Sequence, residues 1–352
     1  MSSEFSGTMP MAPQHRLDEA RLAEWMGRHV EGVRGPVTVE QFRGGQSNPT
    51  YLAATCAGRF VVRTKPAPAA RLLPSAHAIE REYRVMKALG AAGIPVPRMV
   101  ALCEDEAVLG RAFFVMEFVA GRVLWDQSLP AIDRAGRQAI YAEMNRVISA
   151  LHSVDPAVAG LADFGRAGNY LERQVSRWTR QYQASRTGPM EAMDRLMAWL
   201  PAHIPAEDAT AVVHGDFRMD NLVFHPEEPR ILAILDWELS TLGNPLADFA
   251  YHCLAWHIPP GQFRGIAGLD LAALGIPTEE EYVAMYCRRT GRDRIPHWDF
   301  YLAYNLFRLA AILQGIMKRH VEGVASSLKA EDAGRRAGGL AELGWKIASG
   351  IG

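Results

Sequence analysis

Apolar positions along the chain change period twice. Over residues 17–31, Leu17, Ala20, Leu22, Trp25, Met26 and Val30 form a broad stripe at helical spacing. From residue 37 the pattern becomes that of strands. Residues 37–42, 50–56 and 60–63 read as three strands, joined by the turn Arg43-Gly44-Gly45-Gln46-Ser47-Asn48 and by Ala57-Gly58. Residues 65–75 hold Pro66, Pro68 and Pro74 and read as a loop, and 77–92 as a helix ending at Gly93. Residues 100–103 and 111–119 give two more strands around a Glu-Asp-Glu turn.

Beyond Gly121 the period is helical over 131–152, 169–185 and 189–200, and again near 245–256, 279–290, 297–320 and 330–348. The interruption is 211–237, where 211–213, 222–224 and 231–235 are short apolar runs between polar loops. This organisation predicts a flexible leader over 1–16, a five-stranded N-terminal lobe over 17–118, one crossing near 117–121, and a larger helical lobe over 119–352 with a small β insert.

Composition narrows the function classes. The 352 residues are 49% apolar and 22% charged, an ordinary globular balance. Lys plus Arg is 38 and Asp plus Glu 39, a net charge of −1, which disfavours non-specific nucleic-acid or anionic-membrane binding. Cys56, Cys103, Cys253 and Cys287 are widely spaced, with neither a disulfide framework nor a zinc pattern, and fit a reducing, cytoplasmic setting. No apolar run of about 18 residues is seen, and residues 1–13 lack the pattern of a signal peptide, so no membrane partner is expected.

The stretch richest in chemistry is Val213-His214-Gly215-Asp216-Phe217-Arg218-Met219-Asp220-Asn221-Leu222-Val223, followed fifteen residues after Asn221 by Asp236 in Ile234-Leu235-Asp236-Trp237-Glu238. A carboxylate in a loop, an amide five residues on and a carboxylate ending the next strand are what phosphoryl transfer needs. One carboxylate orients a hydroxyl and takes its proton, while the amide and the second carboxylate hold Mg²⁺ on nucleotide phosphates. A hairpin between amide and second carboxylate would bring these two to one point.

His-Gly-Asp-x-x-x-x-Asn followed by Ile-x-Asp resembles the motif of the aminoglycoside phosphotransferase and choline kinase-like family, whose fold is that of protein kinases with their H-R-D-x-x-x-x-N loop. The resemblance runs from about residue 35 to the C-terminus. It is nearest the branch that also occurs fused to acyl-CoA dehydrogenases, through 60–66 (Phe-Val-Val-Arg-Thr-Lys-Pro), Arg81-Glu82-Tyr83-Arg84-Val85 and 307–315. It implies a bilobal, protein-kinase-like α+β fold. It also implies an ATP- and Mg²⁺-dependent kinase that phosphorylates a hydroxyl of a small molecule, with ATP favoured over GTP by family habit.

Carried over residue by residue, the resemblance makes Asp216 the catalytic base and Asn221 and Asp236 the metal ligands, with Asp220 and Glu238 as acidic neighbours. Gly45 and Ser47, in the first hairpin turn, would approach nucleotide phosphates, although no G-x-G-x-x-G is present. Arg63 occupies the slot of the third-strand lysine; Lys65 shares its face and is the alternative. The partner of that cation is Glu82 rather than Glu80, because Ile79, Glu82, Met86 and Leu89 share one apolar helix face. Backbone groups of Glu117 to Val119 would bind the adenine edge. Asp248 would brace the catalytic loop, and His152 reads as a helix-end residue.

The acceptor's charge is read from residues 257–352, which hold 12 Lys plus Arg against 10 Asp plus Glu. That balance disfavours a polycation such as an aminoglycoside and points to a neutral or anionic acceptor of hydroxyacyl-CoA or hydroxy-acid type. Arg308, within an apolar helix, is expected to have an anionic partner, either substrate-borne or Asp299 or Glu322. Aminoglycoside O-phosphorylation and a nucleotide-binding scaffold with little transfer are the alternatives.

Overall fold

The structure is a computed structural model describing residues 7–43, 48–66, 78–207, 209–323 and 330–350. The chain forms two compact units. One comprises Met1–Trp125, Ala157–Phe164 and Met219–Ser240; the other comprises Asp126–Pro156, Gly165–Arg218 and Thr241–Gly352.

The first unit is built on an antiparallel six-stranded sheet of order β1-β2-β3-β4-β6-β5. Its strands are β1 (Thr8–Met9), β2 (Thr38–Phe42), β3 (Thr50–Thr55), β4 (Gly58–Thr64), β5 (Met99–Cys103) and β6 (Phe113–Glu117). The β3–β4 hairpin turns at Gly58, whose φ of +120° suits glycine, and its register pairs Thr50 with Arg63. Helices α1 (Glu19–His29), α2 (Ile79–Ala91) and the short α3 (Glu106–Leu109) complete the segment. Asp18 caps α1 by accepting from Ala20 and Arg21 N–H at 3.1 and 3.0 Å. Leu22, Trp25 and Met26 then pack with Val39, Tyr51, Val62, Phe113 and Val115 into one core.

All five expected strands are present, and a sixth lies in the expected leader. Thr8 pairs with Phe42, and Tyr51 donates to the His15 carbonyl at 2.7 Å, so residues 8–15 are tied to the sheet rather than loose. The boundary also differs from the single crossing expected near 117–121. The unit takes in β7 (Arg122–Val123) and the antiparallel hairpin of β9 (Leu222–Phe224) and β10 (Ile231–Ile234), which the sequence reading assigned to the helical lobe. β7 pairs with β9, and the approach leaves no room at Gly121, where a Cβ would lie 2.3 Å from the Phe224 carbonyl oxygen. Residues 157–164 join the same unit through Arg81 of α2, which donates to the Phe164 carbonyl at 2.7 Å and covers its ring.

The second unit is mainly helical: α4 (Arg134–His152), α5 (Tyr170–Ser185), α6 (Glu191–Ala202), α7 (Pro245–Cys253), α8 (Leu271–Leu274), α9 (Glu279–Thr290), α10 (Trp298–Val321), α11 (Ala330–Arg335) and α12 (Ala337–Ser349). A two-stranded ribbon of β8 (Ala211–Val213) and β11 (Thr241–Gly243) crosses it. α10 is the core of this unit. By length and composition it could cross a membrane, but 83% of its most apolar window is buried in the unit, packed by α5, α7, α11 and α12.

Candidate functional site

Part of the site lies wholly in the first unit. Arg63 is the penultimate residue of β4 and is 8% exposed. Its Nε is 2.9 Å from Glu82 Oε2, its Nη2 donates to Asp236 Oδ1 at 2.8 Å, and the same Nη2 is 3.8 Å from Glu238 Oε2. Burial alone would lower the guanidinium pKa; the charges of Glu82, Asp236 and Glu238 outweigh it and hold the group above its ordinary value. Glu82, on the buried face of α2, also accepts from Asn48 Nδ2 at 2.7 Å. Burial raises its pKa, and the Arg63 charge opposes that rise. Lys65 instead pairs with Glu80. The structure therefore sorts the two cations and two glutamates in the favoured way, with Arg63 on Glu82.

The hairpin brings Asn221 and Asp236 together. Ile234 pairs with Leu222, and Leu235 N–H donates to the Asn221 carbonyl at 2.8 Å. Asp236 then takes a left-handed backbone, φ +64° and ψ +65°, which turns the chain out of β10 at the point where its carboxylate meets Arg63. A non-glycine residue in this region stores strain of order 1–3 kcal/mol and persists only where its surroundings hold it.

A cavity of about 630 Å³ opens in the same unit. Val61, Met86, Met116, Val223 and Leu235 give it apolar walls, and Arg63, Glu82, Asp220, Asn221 and Asp236 form a charged end. Glu117, Phe118 and Val119 line it where β6 ends. Glu117 N–H donates to the Arg98 carbonyl at 3.0 Å and its side chain accepts from Arg98 N–H, so its backbone N–H is engaged within the unit. Gly45 and Ser47 lie outside the described residues.

The second unit holds Asp216, in the loop after β8. Its Oδ1 accepts from Tyr251 OH at 2.6 Å and lies 2.9 Å from Arg218 Nε. The loop is fastened by Asp248 of α7, whose Oδ2 accepts from His214 N–H and Oδ1 from Gly215 N–H, each at 2.8 Å. His152 Nε2 donates to Asp248 at 3.2 Å, and its Nδ1 is 2.8 Å from Tyr286 OH. Burial would raise the Asp248 pKa; His152 and the backbone N–H of His214 outweigh it and hold the carboxyl below its ordinary value.

Asp248 thus sits where a brace was expected. His152 ends α4 as read, but it is buried and orients Asp248, a role missed from sequence; its signal was a histidine closing an apolar run. Tyr251 was also missed, and it lies three residues after Asp248 on α7. Arg308 corrects an expectation: its partner is neither Asp299 nor Glu322, because Nη2 donates to the Gly215 carbonyl at 2.8 Å. Asp299 opens α10, whereas Arg308 lies mid-helix among buried rings.

An antiparallel sheet unit with a helix-borne glutamate on its central cation, together with a helical unit bearing an H-G-D loop, is the α+β architecture of kinase-like phosphotransferases. The phosphotransferase enzyme family model (APH) matches residues 38–304, and the chain belongs to that family. Mouse acyl-CoA dehydrogenase family member 10 is 49% identical over 96% of this chain and 31% of its own length. Human acyl-CoA dehydrogenase family member 11 is 40% identical over 90% of this chain and 41% of its own. The chain thus spans under half the length of these relatives. Among solved structures, a protein of Ralstonia eutropha described as a candidate aminoglycoside phosphotransferase is 60% identical, with a TM-score of 0.88 over 95% of this chain and 99% of that one. The ternary complex of aminoglycoside phosphotransferase APH(4)-Ia with AMP-PNP and hygromycin B shares the fold at a TM-score of 0.60 and 17% identity, over 94% and 98% of the two chains.

Proposed function

We propose that the protein transfers the γ-phosphoryl group of ATP to a hydroxyl of a small neutral or anionic molecule of hydroxyacyl-CoA or hydroxy-acid type. The observation that carries the transfer reading is the Arg63–Glu82–Asp236 cluster at the charged end of an apolar cavity that Asn221 also lines. Such a cavity suits a purine along its apolar walls and phosphates at its charged end. Asn221 and Asp236 are hard oxygen donors, the kind Mg²⁺ takes in small number while phosphates and waters complete its shell. Among the described residues no trio of His, Cys, Asp or Glu forms a metal cage, which fits a metal that arrives with nucleotide. When bound, Mg²⁺ would offset charge on the phosphates. The chain's own residues do the rest. Asp216 takes the acceptor's hydroxyl proton as the new O–P bond forms and the bond to the leaving ADP oxygen breaks. Tyr251 and Arg218 hold the Asp216 carboxylate in place through its Oδ1. Glu82 holds Arg63 toward the phosphates.

The acceptor class is supported by the +2 balance of residues 257–352 and by the acyl-CoA dehydrogenase names of the relatives. Aminoglycoside phosphorylation is the second reading, supported by the description of the 60%-identical Ralstonia eutropha structure. Competitive turnover separates them: ADP release is followed with ATP and either a hydroxyacyl-CoA and hydroxy-acid panel or kanamycin-type substrates. Response to the acyl panel alone is expected. Efficient aminoglycoside phosphorylation without it would overturn the acceptor class and keep the transfer.

A further inference from the structure

α10 is apolar over most of its length, yet three polar residues on it are buried, and each is tied to a different element. Asn305 donates to the Ala247 carbonyl of α7 at 2.8 Å. Gln314 donates to the Ser185 carbonyl at the end of α5 at 2.9 Å. Arg308 donates to the Gly215 carbonyl, the residue directly before Asp216. Asn305 and Arg308 are one helical turn apart, so the same face of α10 that holds α7 also holds the loop. α7 in turn carries Asp248, which takes the His214 and Gly215 N–H groups, and Tyr251, which bonds Asp216. Gly215 is therefore gripped on both sides of its Cα, its N–H by Asp248 and its carbonyl by Arg308.

A buried guanidinium is expensive unless its charge is met. The face of Tyr251 lies 5.1 Å and that of Trp178 5.7 Å from its central carbon, and a cation over an aromatic face is stabilised electrostatically. A charged donor to a carbonyl also makes a stronger bond than a neutral one. A leucine would pack α10 without that cost, so the charge is kept here for what it holds. We propose that Arg308 is a positioning residue: through the Gly215 carbonyl and the ring of Tyr251 it fixes the loop that presents Asp216. This rests on the phosphotransferase reading for its catalytic consequence, though not for the structural one.

The test uses the full chain and needs no identified acceptor. Hydrogen exchange is measured at the 211–218 segment in wild type, Arg308→Lys and Arg308→Met, with the β3–β4 hairpin as internal control. ADP release with water as acceptor is followed in parallel. Arg308→Met is expected to speed exchange at the His214 and Gly215 amides at least tenfold while the hairpin is unchanged, and to lower kcat at least tenfold with the KM for ATP within twofold. Arg308→Lys, which keeps the charge, should fall between, and it carries the test if the methionine variant does not fold. Unchanged exchange at 211–218, or faster exchange with unchanged kcat, would overturn the proposal. If wild type releases no ADP with any phosphate acceptor, the transfer reading fails while exchange still decides whether Arg308 fixes the loop.

Discussion

Arg63 Nη2 and Asp236 Oδ1 lie 2.8 Å apart, so the cation read as a phosphate ligand and the carboxylate read as a metal ligand hold each other. On the proposed reading, a nucleotide carrying its metal would have to compete with that pair. Glu238 lies 3.8 Å from the same nitrogen, so a second carboxylate stands beside the pair.

The Arg63–Glu82 pair can be tested by stability. Removing one partner of a buried ion pair strands the other, at a cost of about 3–5 kcal/mol. Arg63→Ala and Glu82→Ala should each lower the unfolding midpoint, and the double variant should lose clearly less than the two losses added. Strict additivity in denaturant titrations would mean that the residues are not partners. Lys65→Ala, whose partner Glu80 is less buried, should cost under about 1 kcal/mol.

Metal binding should depend on nucleotide. Two protein oxygens, one of them already bonded to Arg63, make a weak site for a free ion. Calorimetry with millimolar Mg²⁺ is expected to show almost no heat until ATP is added. A tight Mg²⁺ isotherm in the absence of nucleotide would contradict the assignment of Asn221 and Asp236.

Asp216→Asn keeps the size of the side chain and removes its capacity to accept a proton. Turnover should fall roughly 10²–10⁴-fold, the usual range for a general base. Affinity for ATP, measured by dye displacement, should change less than threefold. Wild-type ADP release by this variant would remove Asp216 from the mechanism.

His252, on α7, lies in the packing behind the loop, 2.8 Å from Tyr282 OH. Burial pushes its pKa down from 6.5 to about 4. The unfolded chain takes up this proton near pH 6.5, whereas the folded protein refuses it until about pH 4. Stability tied to His252 is therefore complete above pH 6.5 and lost as pH falls toward 4, by roughly 3 kcal/mol across that window. His252→Gln should flatten the decline in unfolding temperature between pH 6.5 and 4. A slope equal to that of wild type would show that other groups set it.

Much of this was legible in the sequence because it is local. The strands of the first unit alternate or form short apolar runs, and the periodicity of α2 alone placed Glu82 inward and Glu80 outward. The spacing from Asp216 to Asn221 and Asp236 held the hairpin. What the sequence concealed is long-range. Nothing near His152 points to Asp248, 96 residues away, and nothing near Arg308 points to a carbonyl at Gly215. A backbone acceptor has no residue type, so the search for an anionic partner turned to Asp299 and Glu322. The tied residues of the leader were hidden for a similar reason, since Tyr51 holds His15 by its carbonyl. Composition also misjudged α10, whose apolar run is interrupted by Asn305, Arg308 and Gln314 although the helix is long and apolar enough to pass as a span.

The fork of Arg63 joins two elements through one residue. A guanidinium has several nitrogens and reaches Glu82 and Asp236 at once, while an ammonium has one nitrogen and must choose or sit between. With lysine here an ammonium would hold Glu82 or Asp236 at the expense of the other, so the two carboxylates are spaced for a forked cation, and the joint between α2 and the turn after β10 rests on a single side chain.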